Sequence, residues 1–294
     1  MATDTVPAPV PASARSKAPQ ALRQRKPPRL RTVVTAGAAY VIGIFFLLPY
    51  IEMFITALRP HNELLDRDYF PSHPTLHNFL TTGIASNIGV SLEIAGGATL
   101  LVLLVGIPAA YYTARRKFFG RGVFLVLVLI TQMFQPTAMI VGIYREFLQF
   151  NMVNSIWALI LVNAGFNMAF AIWILNAYFG AIPKEIEEAA IVDGCSRIGA
   201  LFRVIIPLAL PGIVTALIFT FIAAWNEFIV ALTLMNSDPG TEPLTVRLSS
   251  FVGQYSTDWG HLFAAGLLST VPVIILFALI EGKVVSGLTS GSVK

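Results

Sequence analysis

Eight side chains within the apolar stretches of this sequence are candidates for a functional role, because polar groups are costly to place in lipid. They are Glu93, Gln132, Gln135, Asn163, Asn167, Trp225, Asn226 and Glu227. Carboxylates and amides hydrogen-bond the polar groups of a solute, and an aromatic ring packs against its apolar face. These residues therefore form a candidate solute pathway. The alternative is that they make interhelical hydrogen bonds that only stabilise a helix bundle.

The spacing of these residues limits how they can act together. Asn163 and Asn167 are four residues apart, so a helix places them on one face. The two glutamines nearly share a face beside Pro136, which interrupts regular backbone hydrogen bonding. Glu93 and Glu227 are the strongest candidates, because an unpaired carboxylate in an apolar environment costs the most.

Motifs for phosphate and metal chemistry are missing from the sequence. No G-x-x-x-x-G-K-[ST] loop occurs, so ATP hydrolysis is not expected on this chain, and no H-E-x-x-H motif occurs. The single cysteine, Cys195, excludes an intrachain disulfide and a cysteine-based zinc cluster. The four histidines fall in predicted outer loops, where solvated side chains are expected: His61, His73, His77 and His261. We therefore expect no catalytic residue, metal or cofactor on the chain.

The segment 180–211 is amphipathic and predicts two short helices joined by a bend. Glu185, Glu187 and Glu188 favour the positive N-terminal end of the first helix. Gly194 permits a sharp turn, and Ser196 suits the N-cap of a second helix that should end before a proline at 207. From the residues alone, this loop is either a docking element or an interfacial hairpin that only connects two spans.

The elements that carry these residues are membrane-spanning helices. Charged residues make up 12% of the chain and hydrophobic residues 55%, a balance that a soluble fold of this length could not bury. Six apolar segments are each long enough to cross about 30 Å of hydrocarbon. They are Val33–Leu58, Ile88–Ala114, Gly122–Tyr144, Val153–Phe179, Gly212–Met235 and Leu262–Glu281. The predicted fold is an all-α polytopic membrane protein, a bundle of six transmembrane helices.

The distribution of Lys and Arg predicts the orientation of these spans. Residues 1–31 are basic and poor in large apolar side chains, which is typical of a disordered tail, and residues 32–294 form one transmembrane domain. With the N-terminus inside, the outer side keeps only Arg59, Arg67, Arg145 and Arg247. The inner side holds the tail together with Arg115, Arg116, Lys117, Arg121, Lys184, Arg197, Arg203, Lys283 and Lys294. Because cytoplasmic loops carry the Lys/Arg excess, both termini and the 180–211 loop are predicted to be cytoplasmic.

The same loop resembles the EAA signature of ABC importer permeases. The matching residues are Glu188, Ala189, Ala190 and Gly194, followed by Val204, Ile206 and Pro207 in place of an Ile-x-Leu-Pro element. Further likeness lies in LRPHNEL, PTLHNF, PAAYYTARRKFFGR, AWNEFIVALTL and GLTSGSVK, and extends over most of the chain beyond residue 40. The sequence is most similar to the smaller permease of the maltose-transporter type, in the carbohydrate branch.

This resemblance implies a function and a set of partners. In that family the loop is a coupling helix that inserts into a groove of a separate ATPase, so Glu188, Ala189, Ala190, Asp193 and Gly194 are the implied coupling residues. The chain would import a sugar or sugar-like solute through a bacterial or archaeal inner membrane. Its implied partners are a second permease in a heterodimer, an ATPase dimer that carries ATP and magnesium, an extracytoplasmic binding protein or lipoprotein, and membrane lipid. No nucleic-acid partner is implied.

Two other protein classes fit the composition less well. A membrane-embedded enzyme would need a nucleophile or metal constellation at membrane depth, and no spacing in the sequence supplies one. A secondary transporter would typically show an internal repeat of its spans, and none is evident. Dependence of uptake on a co-expressed ATPase separates both classes from an ABC importer permease.

Overall fold

The computed structural model describes the backbone of residues 30–63, 68–116, 118–235 and 240–290, with side chains between residues 34 and 280 of these ranges. The predicted tail, residues 1–31, lies outside the described residues except for the backbone of its last two. Four side chains used to predict the orientation also lie outside them, namely those of Arg67, Lys117, Lys283 and Lys294.

Helices account for nearly all regular structure in the described ranges, which contain no β-strand. The α-helices are α1 Leu30–Ala57, α2 His77–Thr81, α3 Ala85–Arg115, α4 Arg121–Thr131, α5 Ile140–Gln149, α6 Ile156–Ala181, α7 Lys184–Val192, α8 Arg197–Ala200, α9 Ile206–Leu208, α10 Leu210–Trp225, α11 Ile229–Leu234, α12 Leu244–Ser250 and α13 Trp259–Ser290. Short 3₁₀ turns cover His61–Glu63 and Pro136–Met139. The predicted all-α fold is confirmed.

The chain divides into two compact units, residues 1–48 and 49–294, with the boundary inside α1. Every described side chain of the first unit, residues 34–48, is exposed, although this stretch is strongly apolar. An apolar helix that buries no side chain of its own is typical of a segment surrounded by lipid. The second unit contains the packed helices and the candidate site.

Within the described residues, four helices are long and apolar enough to span a membrane, and the total rises to six if each of two bent pairs is one span. The third predicted span is not continuous, because α4 and the stretch Pro136–Gln149 meet at 83°. Pro136 lacks a backbone N–H and disfavours helical geometry before it, and Gln135 is extended with ψ 138°. The fifth predicted span is not one continuous helix either, because α10 ends at Trp225 and α11 begins at Ile229.

The core of the second unit lies where α3, α6 and α10 pack together. Fully buried small residues lie on all three helices, among them Ala98 of α3, Ala171 of α6 and Ala216 of α10. Small side chains let helix backbones approach closely, which is the main way that helices associate in lipid. A second buried cluster joins α3, α6 and α11 around Leu159 and Leu234.

Gly212, in the first turn of α10, marks the tightest approach of that helix to α6. A Cβ atom placed there would lie 2.3 Å from Cγ and 2.8 Å from Cβ of Tyr178. The tyrosine could not move aside without shifting its helix, so Gly212→Ala is expected to destabilise the fold by about 1–3 kcal/mol. Thermal unfolding of the purified protein in detergent measures the effect as a lower Tm. Gly165→Ala is the matched control, because a Cβ there meets no atom within 4 Å; equal Tm values for the two variants would contradict this packing argument.

Candidate functional site

The loop with the predicted coupling residues folds as α7 and α8 with a sharp bend between them. Glu185 and Glu187 occupy the first turn of α7, where carboxylates interact favourably with the helix dipole. Gly194 follows α7 with φ +91°, a backbone conformation that residues with a Cβ rarely adopt. Ser196 caps α8, because its hydroxyl accepts the backbone N–H of Gly199 at 3.1 Å. The bend therefore requires glycine at this position.

The second helical segment of the loop is longer than the sequence suggested. It continues from α8 through a π-helical turn, Leu201–Ile205, into α9, and so passes Pro207 instead of ending before it. A π turn shifts the backbone hydrogen-bond register, and Pro207 then falls in the first turn of α9, where its missing N–H costs little. The break comes at Ala209, between two segments that bend by 76°.

Most of the predicted coupling residues are exposed on the surface of this loop. Glu188, Ala189, Asp193 and Gly194 are exposed, whereas Ala190 is buried with 8% of its surface accessible. Apolar side chains beside them are exposed as well, with Val192 at 86% and Ile198 at 70%. Exposed apolar side chains among charged ones are typical of a surface that contacts another protein.

An ion pair fastens the loop to the end of α3. Arg115 Nε lies 3.0 Å from Glu187 Oε2, and both side chains are largely buried. Arg115 Nη1 also donates to the carbonyl oxygen of Ile182 at 2.8 Å, and the Tyr111 hydroxyl donates to Glu187 Oε1 at 2.5 Å. Sequence reasoning assigned Glu187 only to the helix N-terminus and Arg115 only to the orientation, so it missed this contact. Their opposite charges were the one available signal.

Three of the predicted pathway residues meet at one small cavity. Asn163, Trp225 and Glu227 line a space of about 10 Å³ between α3, α6 and the end of α10. The Asn163 amide donates to the Leu159 carbonyl of its own helix at 2.9 Å, and Trp225 stacks on Phe221 with ring centroids 5.8 Å apart. The cavity is too small for a sugar in this conformation.

Glu227 stands in the break between α10 and α11 and holds the start of α11. Its Oε1 accepts the backbone N–H of Val230 at 2.7 Å, and its Oε2 accepts that of Ala231 at 2.8 Å. The first N–H groups of a helix have no partner within the helix, so a carboxylate that accepts two of them acts as a cap. Thr245 also donates to the Glu227 carbonyl at 2.7 Å, which ties the break to α12.

The remaining pathway candidates do not line this cavity. Glu93, Gln135 and Asn226 are exposed, and the Asn226 amide donates to a carbonyl one turn back in its own helix. Gln132 donates to the Phe166 carbonyl at 2.9 Å and so links α4 to α6. The Asn167 amide donates to the carbonyl of Asn163 at 2.8 Å. Their assignment to a solute pathway stays a prediction.

The four histidines line one cavity of about 600 Å³, together with Asp258. His261 is held between two elements, with Nδ1 2.7 Å from Asp258 Oδ2 and Nε2 2.8 Å from the Thr81 hydroxyl of α2. Sequence reasoning placed these histidines in separate solvated loops and did not foresee that the loops converge. Within the described ranges, no group of three or more His, Cys, Asp or Glu side chains could hold a metal ion.

Comparison with known proteins places this arrangement in a family. Residues 103–286, more than half of the chain, match the family described as the binding-protein-dependent transport system inner membrane component. The chain belongs to this family. It is a multi-pass permease of the ABC-transporter class, a transport component and not an enzyme. The resemblance found from the EAA residues is confirmed.

Individual relatives match the permease over most of its length. It is 34% identical to the sulfoquinovosyl glycerol transport system permease protein SmoH of Agrobacterium fabrum, over 87% of this chain and 92% of the relative. It is also 34% identical to the diacetylchitobiose uptake system permease protein DasC of Streptomyces coelicolor, over 87% of this chain and 95% of the relative. Its identity to the trehalose/maltose transport system permease protein MalG of Thermococcus litoralis is 30%, over 90% of this chain and 98% of the relative.

A solved structure shares the fold of the permease. It belongs to a bacterial ABC transporter involved in the import of the acidic polysaccharide alginate, and the TM-score is 0.72. The match covers 87% of this chain and 99% of the other, at 21% identity. At that level of identity the likeness concerns the helix arrangement alone.

Proposed function

We propose that this permease moves a sugar or sugar-like solute into the cytoplasm, driven by ATP hydrolysis on a partner ATPase. The relatives named above transport a sugar glycoside or disaccharides, according to their names, and this supports the substrate class. The permease would pair with a second permease, receive solute from an extracytoplasmic binding protein, and dock onto an ATPase dimer that holds ATP and magnesium. Both of its termini would lie in the cytoplasm, as the Lys/Arg distribution predicts.

The observation that best supports coupling is the exposed α7–α8 loop fastened to α3 by Arg115 and Glu187. A partner that moves α7 also moves the end of α3, because their buried ion pair costs several kcal/mol to separate. Helix α3 packs against α6 and α10 in the core, where Trp225 and Asn163 line the small cavity. Movement of the loop would therefore widen or close the space between these helices.

Deleting the gene for this permease in its native cell tests the proposal. Uptake of radiolabelled trehalose, maltose and diacetylchitobiose is measured with the permease deleted and with the wild-type gene restored. We expect uptake of at least one of them to fall about tenfold on deletion, and to fall equally when ATP is depleted in the restored cells, since transport and hydrolysis are coupled. Uptake that persists without ATP would contradict the ATP-driven mechanism. Unchanged uptake of all three solutes would exclude these disaccharides as substrates.

A further inference from the structure

A second cavity lies between the end of α3 and the α7–α8 loop, with a volume of about 360 Å³. Four cationic side chains line it, against two carboxylates: Arg115, Arg116, Lys184 and Arg197 against Glu187 and Glu188. Because Glu187 is already engaged by an arginine and a tyrosine, the cavity carries excess positive charge. Such a site attracts an anion.

Arg115 supplies an independent sign that a ligand belongs here. Its side chain is only 7% exposed, its Nη1 is used by the Ile182 carbonyl and its Nε faces Glu187. Its Nη2 is buried and has no hydrogen-bond partner among the described residues. A buried guanidinium N–H without an acceptor is unfavourable, and an oxyanion in the cavity would supply that acceptor.

The position of the cavity points to a lipid as the source of that oxyanion. It lies at the end of the apolar span Ala85–Arg115, where aromatic side chains are exposed, with Tyr112 at 56% and Phe119 fully exposed. Aromatic and basic residues together at the end of a span are typical of the membrane–water boundary. Basic pockets between spanning helices on the cytoplasmic side bind the headgroups of anionic phospholipids.

We propose that this cavity binds the phosphate group of an anionic phospholipid from the cytoplasmic leaflet. The inference rests on the orientation given under the proposed function. Arg116 and Lys184 attract the phosphate at the rim of the cavity, and Arg115 donates Nη2 to it. The bound phosphate bridges α3 and the coupling loop, so the lipid stiffens the connection through which the ATPase acts.

Lipid titration of the full-length permease in detergent tests the proposal. Binding of phosphatidylglycerol is measured by native mass spectrometry, with phosphatidylcholine as the zwitterionic comparison. The variant Arg116→Gln/Lys184→Gln removes two exposed charges from the rim, and Arg121→Gln/Arg203→Gln removes two from the same predicted face outside the cavity. We expect the first pair to weaken phosphatidylglycerol binding about thirtyfold and the second pair to leave it nearly unchanged. Equal weakening by both pairs would overturn the site.

Two further arms identify the source of the anion. Inorganic phosphate that displaces the lipid at similar concentration would show a site for a soluble anion and overturn the lipid assignment. Unchanged lipid binding in the Arg116→Gln/Lys184→Gln variant, with loss of a co-purifying ATPase, would show that the cavity receives an acidic side chain of that protein, and would also overturn it.

The orientation is checked separately, by membrane-impermeant labelling of single cysteines in a Cys195→Ala background. We expect Phe119→Cys to react only from the cytoplasmic side and Ser72→Cys only from outside. Reversed labelling would overturn the orientation of the proposed function together with the leaflet assigned to the lipid. Correct labelling with no phosphatidylglycerol binding would overturn the lipid site alone.

Discussion

Replacing Gly194 by valine is expected to uncouple ATP hydrolysis from transport and to lower uptake by a factor of about ten or more. The glycine has φ +91°, and a β-branched residue at such an angle costs about 1–3 kcal/mol, which would redirect α8 relative to α7. Solute-stimulated ATPase activity of the purified complex measures the coupling, and uptake into vesicles measures the transport. Delivery of solute by the binding protein should be preserved, because that contact lies across the membrane in the proposed orientation.

Two substitutions sharpen this test. Gly180→Val is the matched control, because Gly180 lies in α6 without a positive φ and a Cβ there would meet no atom within 4 Å, so this variant should remain coupled. Glu188→Ala removes an exposed carboxylate beside the bend and should weaken association with the ATPase about tenfold, whereas Glu146→Ala, an equal charge loss on α5, should not. Normal assembly, stimulation and uptake in both loop variants would mean that the loop is only a connector.

Replacing Glu227 by alanine is expected to lower both the Tm of the purified permease and its uptake activity. The substitution removes the acceptor of two backbone N–H groups at the start of α11, a loss of about 1–3 kcal/mol for each group left unpaired. Glu227→Gln retains one acceptor oxygen and should fall between alanine and the wild type. Asn226→Ala is the neighbouring control, because its exposed amide bonds only to its own helix, and should change Tm little.

The relation between the two measurements separates a structural role from a role in the solute pathway. If Glu227 acts as a cap, Tm and uptake fall together across the series. Glu227→Ala with a wild-type Tm and no uptake would contradict the cap and favour direct contact with solute, as the sequence hypothesis held. A complex that assembles normally and transports normally would contradict both.

The sequence predicted those features that depend on local composition. Runs of apolar residues indicated the helices because crossing a bilayer demands length and hydropathy, which are readable one segment at a time. The EAA residues identified the family, and Gly194 with Ser196 indicated the bend, because glycine and N-cap preferences are local as well. These predictions needed no knowledge of which helices are neighbours.

Features that depend on tertiary contacts could not be read in the same way. The break after Trp225 lies within the fifth predicted span, and it is tolerated because Glu227 and Thr245 satisfy the freed backbone groups. The ion pair between Arg115 and Glu187 joins two segments far apart in sequence, and charge alone gave Arg115 several possible partners. The convergence of the four histidines likewise depends on the packing of loops against α13.

Helix α3 contains Pro108, about two turns before its last residue. Proline leaves the carbonyl four residues earlier without its helical hydrogen-bond partner, so the helix bends more easily at this point. Residues 109–115, with a length of about 10 Å, form the part of α3 that Arg115 links to the coupling loop. Because Ala110 of this part is fully buried and the Asn176 amide of α6 donates to the Thr113 hydroxyl at 2.8 Å, a pull on the coupling loop that bends α3 at Pro108 must also displace α6.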